Sequence, residues 1–140
     1  MSYRIVLGDW PMQRANAEII RREVFIVEQN VPVEMEWDEM DSVSMHAIAM
    51  DESGQAIGTG RLLPDGHIGR MAVKHVNRKA GIGGAILTAL MQEAKRRGHS
   101  EVMLNAQLQV QAFYERYGFF PEGEIFMDAG IPHIHMRLLF

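Results

Sequence analysis

Between His67 and Gly98 the chain runs from an apolar, β-prone stretch through a basic, glycine-rich turn into a long helix. The turn and its flank read Met71-Ala72-Val73-Lys74-His75-Val76-Asn77-Arg78-Lys79-Ala80-Gly81-Ile82-Gly83-Gly84. After it, Ile86, Leu87, Leu90, Met91 and Ala94 share one helical face; Lys95, Arg96 and Arg97 favour the C-terminal end, and Gly98 stops the helix. The unit puts a helix next to a strand and fixes what lies between them. A helix N-terminus carries unpaired N–H groups and partial positive charge, so it binds phosphate well. Glycines let the backbone approach an anion closely, and Arg78 and Lys79 add cationic donors. The other reading of the same residues is an ordinary strand-to-helix turn with incidental glycines.

The rest of the chain builds around this unit. Tyr3 to Leu7 is a short β-prone run, and Asp9 and Pro11 suit the start of a helix. Ala15, Ile19, Ile20, Val24 and Val27 predict an amphipathic helix from Met12 to about Glu28. An acidic, proline-broken stretch from Asn30 to Asp41 reads as a loop with one short helical turn. Strands at Met45–Met50, Ala56–Leu63 and His67–Val73, joined by Asp51-Glu52-Ser53-Gly54 and Pro64-Asp65-Gly66, predict an antiparallel meander. Val102 to Ala106 is a strand and Val110 to Tyr117 a short helix broken by Gly118; Gly123–Met127 and His133–Leu139 are the last two strands. The expected class is α/β (α+β), with a mixed, mostly antiparallel central sheet of about six to seven strands flanked by about four helices. Residues 1–140 make one domain, the usual size for a single core.

Composition narrows the function. Fourteen Lys and Arg against 18 Asp and Glu give a net charge of -4, so no basic field for nucleic acid is visible across the whole chain. Cysteine is absent, which excludes disulfides, thiolate zinc sites and a cysteine nucleophile, and fits a reducing cytoplasm. The N-terminal stretch Met1-Ser2-Tyr3-Arg4-Ile5 lacks a leader's apolar core, and no apolar run approaches the roughly 20 residues that span a bilayer. The expectation is a cytoplasmic chain with neither membrane nor nucleic-acid partner. A mononucleotide P-loop requires Gly-Lys followed by Ser or Thr where this loop has Gly83-Gly84-Ala85, and a dinucleotide fingerprint requires a small residue at Ile86.

The loop instead resembles the Arg/Gln-x-x-Gly-x-Gly/Ala signature of the GCN5-related N-acetyltransferase (GNAT) superfamily, matched by Arg78-x-x-Gly81-x-Gly83. Ala112-Phe113-Tyr114-Glu115-Arg116-Tyr117-Gly118-Phe119 is similar to that family's aromatic helix motif. Arg22-Glu23-Val24-Phe25-Ile26-Val27-Glu28-Gln29 with Val31-Pro32, Gly58-Thr59-Gly60-Arg61-Leu62 and Gly130-Ile131-Pro132-His133 resemble one small bacterial branch, and the pieces span essentially the whole chain in order. The resemblance implies acetyl-CoA as cosubstrate and no metal. Residues Arg78, Lys79, Ala80, Gly81, Ile82, Gly83 and Gly84 would hold the diphosphate, and Met71, Ala72 and Val73 would pair with the acetyl and pantetheine groups. Phe113 and Tyr114 would lie beside them, and Asn105 near the pantetheine amide or the acceptor. The implied reaction is direct transfer of acetyl to an amine, through a ternary complex.

The resemblance puts Tyr114 where the family has its general acid. A phenol with a reference pKa of about 10 stays protonated at neutral pH and can serve a leaving thiolate; packing would also want a ring there. A histidine suits the base that an alkylammonium needs, and His133 is the candidate, with Glu28 and Glu34 as alternatives and a structural histidine as the other reading. On the acceptor side, Glu28, Glu34, Glu36, Asp38 and Asp41 suit a cationic amine that Trp37 could cover, or are simply solvated surface. Arg21 and Arg22 suit a carboxylate on the acceptor, or that acidic loop; Phe25 and Gln107 complete the acceptor set. The partner expected is a small-molecule amine, with a peptide or protein amine as the wider case. A homodimer is common among similar domains, though no residue specifies one. A non-catalytic acyl-CoA-binding module and a protein-interaction domain are the alternatives.

Overall fold

The computed structural model describes residues 2–140; Met1, part of the stretch read for a leader, lies outside them. Among the described residues seven strands form two antiparallel sheets. The first holds β1 (Tyr3–Gly8), β2 (Met45–Asp51), β3 (Ala56–Leu62) and β4 (Ile68–Val73) in that order. The second holds β5 (Glu101–Gln107), β6 (Phe120–Asp128) and β7 (Ile131–Leu139) in the order β5-β7-β6. A single parallel bridge, His67 to Met103, joins the start of β4 to β5, where the Met103 N–H donates to Gly66 O at 3.2 Å. Beyond it no ladder pairs β4 with β5 among the described residues, and a cleft opens between them. The class is the mixed α+β one read from the sequence, with the central sheet divided in two.

Four α-helices flank the sheets: α1 (Trp10–Arg21), α2 (Val33–Glu36), α3 (Ile82–Arg96) and α4 (Gln111–Glu115). Alternation along β2 sends successive side chains to opposite faces. Ala47 and Ala49 join the cluster that holds Ile82, Ile86, Leu87, Leu90 and Ala94 of α3, while Ile48 joins Ala17 and Ile20 of α1. Glycine in β3 leaves room for α3, because a Cβ on Gly58 would stand 2.9 Å from Ile86 Cδ1 and 3.3 Å from Ala72 O and would make the Ile86 side chain shift. The larger cluster also takes in Val102, Leu104, Met136 and Leu138 from the second sheet. No helix among the described residues is long and apolar enough to cross a membrane.

Most strand ends fall within a residue of those predicted, though β6 starts three residues before Gly123 and β7 two before His133. The first helix differs more. It is α-helical only to Arg21; Arg22–Glu28 is a π-helix, with Gln29 N–H reaching Val24 O at 3.1 Å. Val24-Phe25-Ile26-Val27 is a β-branched and aromatic run that fits an α-helix poorly. Its buried stripe is Gln13, Ala17, Ile20, Arg21 and Val24, whereas Ile19 is 57% and Val27 69% exposed. Two polar side chains displace the expected apolar phase: the Gln13 amide donates to Val6 O at 2.8 Å, and Arg21 is fully buried on carboxylates. The acidic stretch holds two short turns, α2 and a 3-10 turn at Glu39–Val43, where one was expected.

Candidate active site

The cleft between β4 and β5 has a volume of about 900 Å³. One wall is the end of β4, Met71 to Val73, followed by the loop to α3; Arg78, Lys79, Gly81, Ile82, Gly83 and Gly84 line it, and Ala80 does not. Lys79 at φ +68° and Gly81 at φ +79° turn the backbone left-handed just before the helix. No side chain caps α3, and its first turn closes with Ala85 N–H on Gly81 O at 3.1 Å. The N–H groups of Ile82, Gly83 and Gly84 are those a helix start cannot pair internally. A 15-residue helix directs its dipole at the same point, so the residues fit a phosphate group. The two glycines differ in purpose. A Cβ on Gly84 would overlap the Tyr117 hydroxyl, whereas one on Gly83 would make ordinary contacts, 3.6 Å to Phe113 and 3.9 Å to Val73.

Phe113 and Tyr114 of α4 complete this half, their rings edge-on with centroids 5.1 Å apart. The Tyr114 hydroxyl faces the Met71 sulfur at 3.8 Å. That contact puts the phenol at the end of β4, and burial pushes its pKa up to about 12.

The other half is formed by the π-helix and the second sheet. Phe25, Glu28, Asn105, Gln107 and His133 line it. His133 is 9% exposed and stacks on Phe126 with centroids 5.8 Å apart. Its Nδ1 lies 2.7 Å from Ile131 O. A carbonyl only accepts, so Nδ1 carries the hydrogen and Nε2 keeps the lone pair in the neutral ring. Gln107, opposite His133 in register, donates to Gln29 Oε1 at 3.0 Å and accepts from Gln109 at 2.8 Å. Asn105 Oδ1 sits 3.0 Å from His135 Nδ1. Glu28 and Arg78 meet across the cleft in a two-point pair at 2.7 and 2.8 Å, which holds the Glu28 carboxyl below its ordinary range.

Several acceptor-side residues are engaged within the protein. Glu36, which borders the cleft, and Asp41, which does not, are 2% and 4% exposed and belong to an internal ion cluster, not to solvated surface. Arg21 donates to Asp41 Oδ1 at 2.8 Å, and Arg61 to Asp38 Oδ1 at 2.7 Å and Asp41 Oδ1 at 2.8 Å. Arg70 reaches Asp38 Oδ2 at 3.2 Å. Those contacts hold Asp38 down at about 2, while burial pushes the Glu36 carboxyl up. Trp37 covers the Arg21 guanidinium at 4.8 Å and lies 5.7 Å from that of Arg22, so its face is taken by the chain's own cations. Neither Trp37 nor Arg22 lines the cleft, and Glu34 also lies outside it. The cleft instead includes Gln29, Arg61, Arg70 and Tyr117, which sequence reasoning did not assign to the site. Of these, Gln29, Arg61 and Tyr117 lie within the segments that carry the family resemblance, whereas Arg70 carries no signal of its own. Among the described residues no His, Asp or Glu group is arranged to hold a metal ion.

A family model described as acetyltransferase (GNAT) domain matches residues 11–140. The Bacillus subtilis (strain 168) protein named "Uncharacterized N-acetyltransferase YjcF" is 42% identical over 129 residues, 89% of this chain and 91% of its own length. Among solved structures, an acyl-CoA N-acyltransferase from Pseudomonas aeruginosa is 32% identical, with a TM-score of 0.87 over 98% of this chain and 99% of that one. Escherichia coli ElaA has a TM-score of 0.87 at 25% identity, over 98% of this chain and 99% of its own.

Proposed function

The chain belongs to the acetyltransferase (GNAT) domain family, and on that premise we propose that it transfers acetyl from acetyl-CoA directly to a primary amine of a small molecule, through a ternary complex. The observation that carries this is the convergence of the uncapped start of α3, the end of β4 and the Tyr114 hydroxyl on one cleft. Acetyl-CoA, when bound, supplies an acetyl group activated on a thiol. The N–H groups of Ile82, Gly83 and Gly84, with Arg78 and Lys79, hold the diphosphate. Backbone groups at Met71 and Val73 orient the thioester and polarise its carbonyl. Tyr114 gives its hydroxyl hydrogen to the departing sulfur, and His133 takes the amine's proton at Nε2. Direct transfer suits a chain with no cysteine to carry the acetyl group.

Calorimetric titration of acetyl-CoA, with ATP as control ligand, tests the foundation. The wild type is expected to bind acetyl-CoA in the micromolar range and ATP not at all. Gly83→Glu is expected to lose binding while remaining folded, since a Cβ there meets only ordinary contacts. A folded wild type without heat on acetyl-CoA addition would reject the reading. Binding without thiol release across an amine panel would leave a cofactor-binding module in place of an enzyme.

A further inference from the structure

Arg78 commits all its donor nitrogens within the protein. Its Nε donates to Val73 O at 3.0 Å, and its two amino groups hold Glu28 at 2.7 and 2.8 Å. A guanidinium fork of this kind suits a carboxylate or a phosphate in the same two-point geometry. Glu28 therefore occupies the face of Arg78 that a diphosphate at the start of α3 would use. The pair differs from the cluster around Arg21 in one decisive respect. Arg21 and Asp41 are 1% and 5% exposed, whereas Arg78 and Glu28 are 34% and 39% exposed, so water reaches this pair and screens it. A diphosphate brings more charge to the same fork, and its negative charge also repels the Glu28 carboxylate.

Resting on the acetyl-CoA reading, we infer that Glu28 is an internal stand-in for a cofactor phosphate on Arg78, and that cofactor binding displaces it. Glu28 belongs to the π-helix, on the cleft wall opposite the start of α3. Glu28 adjoins Gln29, whose amide contacts Gln107, the cross-strand partner of His133. Seating the diphosphate thus frees a carboxylate on the π-helix, on the same cleft wall as Phe25 and Gln29.

The test compares wild type and Glu28→Gln by calorimetry with two probes, CoA and pantetheine, which lacks the diphosphate. Glu28→Gln is expected to bind CoA ~3–10-fold more tightly and pantetheine equally. Unchanged or weaker CoA binding by the variant would overturn the inference, because Glu28 would then be neutral or would orient Arg78 toward the phosphate. A second measurement needs no substitution: the titration midpoint of the Glu28 carboxyl carbon by NMR in labelled wild type. It is expected to rise when CoA is added, and a midpoint that stays depressed would equally overturn the exchange. Failure of wild type to bind CoA at all would instead reject the acetyl-CoA reading, so the two failures are distinct.

Discussion

With its hydroxyl 3.8 Å from the Met71 sulfur and its pKa pushed to about 12 by burial, Tyr114 is a neutral phenol throughout the pH range in which an amine can be acylated. A raised value means the proton is held until strongly alkaline pH, so no fall in rate at mildly alkaline pH is expected from this group. Tyr114→Phe removes the hydroxyl and keeps the ring, so kcat is expected to fall ~10–100-fold with little change in acetyl-CoA affinity. Steady-state kinetics beside a binding titration checks both halves, and a near-normal kcat would remove the tyrosine from the chemistry. That Tyr114 and the loop from Arg78 to Gly84 share one cleft was legible because a motif marks each of them. For Arg21, pairing with the acidic loop was one of the two readings the residues offered, and Asp41 bears it out, whereas its complete burial was not legible. Trp37 misled because the cations it meets belong to the chain itself.

At the scale of elements, strand positions were legible because alternation and turn residues bound each run. The phase of α1 was not, since Gln13 and Arg21 take buried positions that hydrophobicity assigns to Ile19 and Val27. The π-helix after it could not be seen in apolar spacing, which has no signature for one wide turn. It brings Phe25 and Glu28 to the cleft. On the opposite face, the seat of α3 depends on β3 presenting no side chain at Gly58. Gly58→Ala places a methyl 2.9 Å from Ile86 Cδ1 and 3.3 Å from Ala72 O, and is expected to cost ~1–3 kcal/mol. Ile86→Val removes the first of those contacts. The double variant should therefore lose less stability in urea denaturation than the two single changes summed; strict additivity would show that the helix does not rest on this point.

Over the whole molecule, three arginines from α1, β3 and β4 gather the acidic stretch inward, so segments far apart in sequence share one ion cluster. Asp38 is depressed from the ordinary 3.8 to about 2 by Arg61, and the sign follows. Its stabilising contribution is complete above pH 3.8 and is lost as pH falls through 2, while Glu36, raised by burial, works in the opposite sense. Asp38→Asn is expected to lower Tm at pH 7 by ~2–4 °C, with the gap from wild type closing as the pH approaches 2. A gap that persists unchanged in acid would mean the side chain acts through packing instead of charge.

The division into two sheets has a further consequence. β4 and β5 each pair on one side only, and beyond the His67–Met103 bridge their other sides face inward. An unpaired strand edge on a protein's exterior is a template on which another chain can polymerise. Here the two edges border the same cleft, so each is shielded by the other half of its own chain.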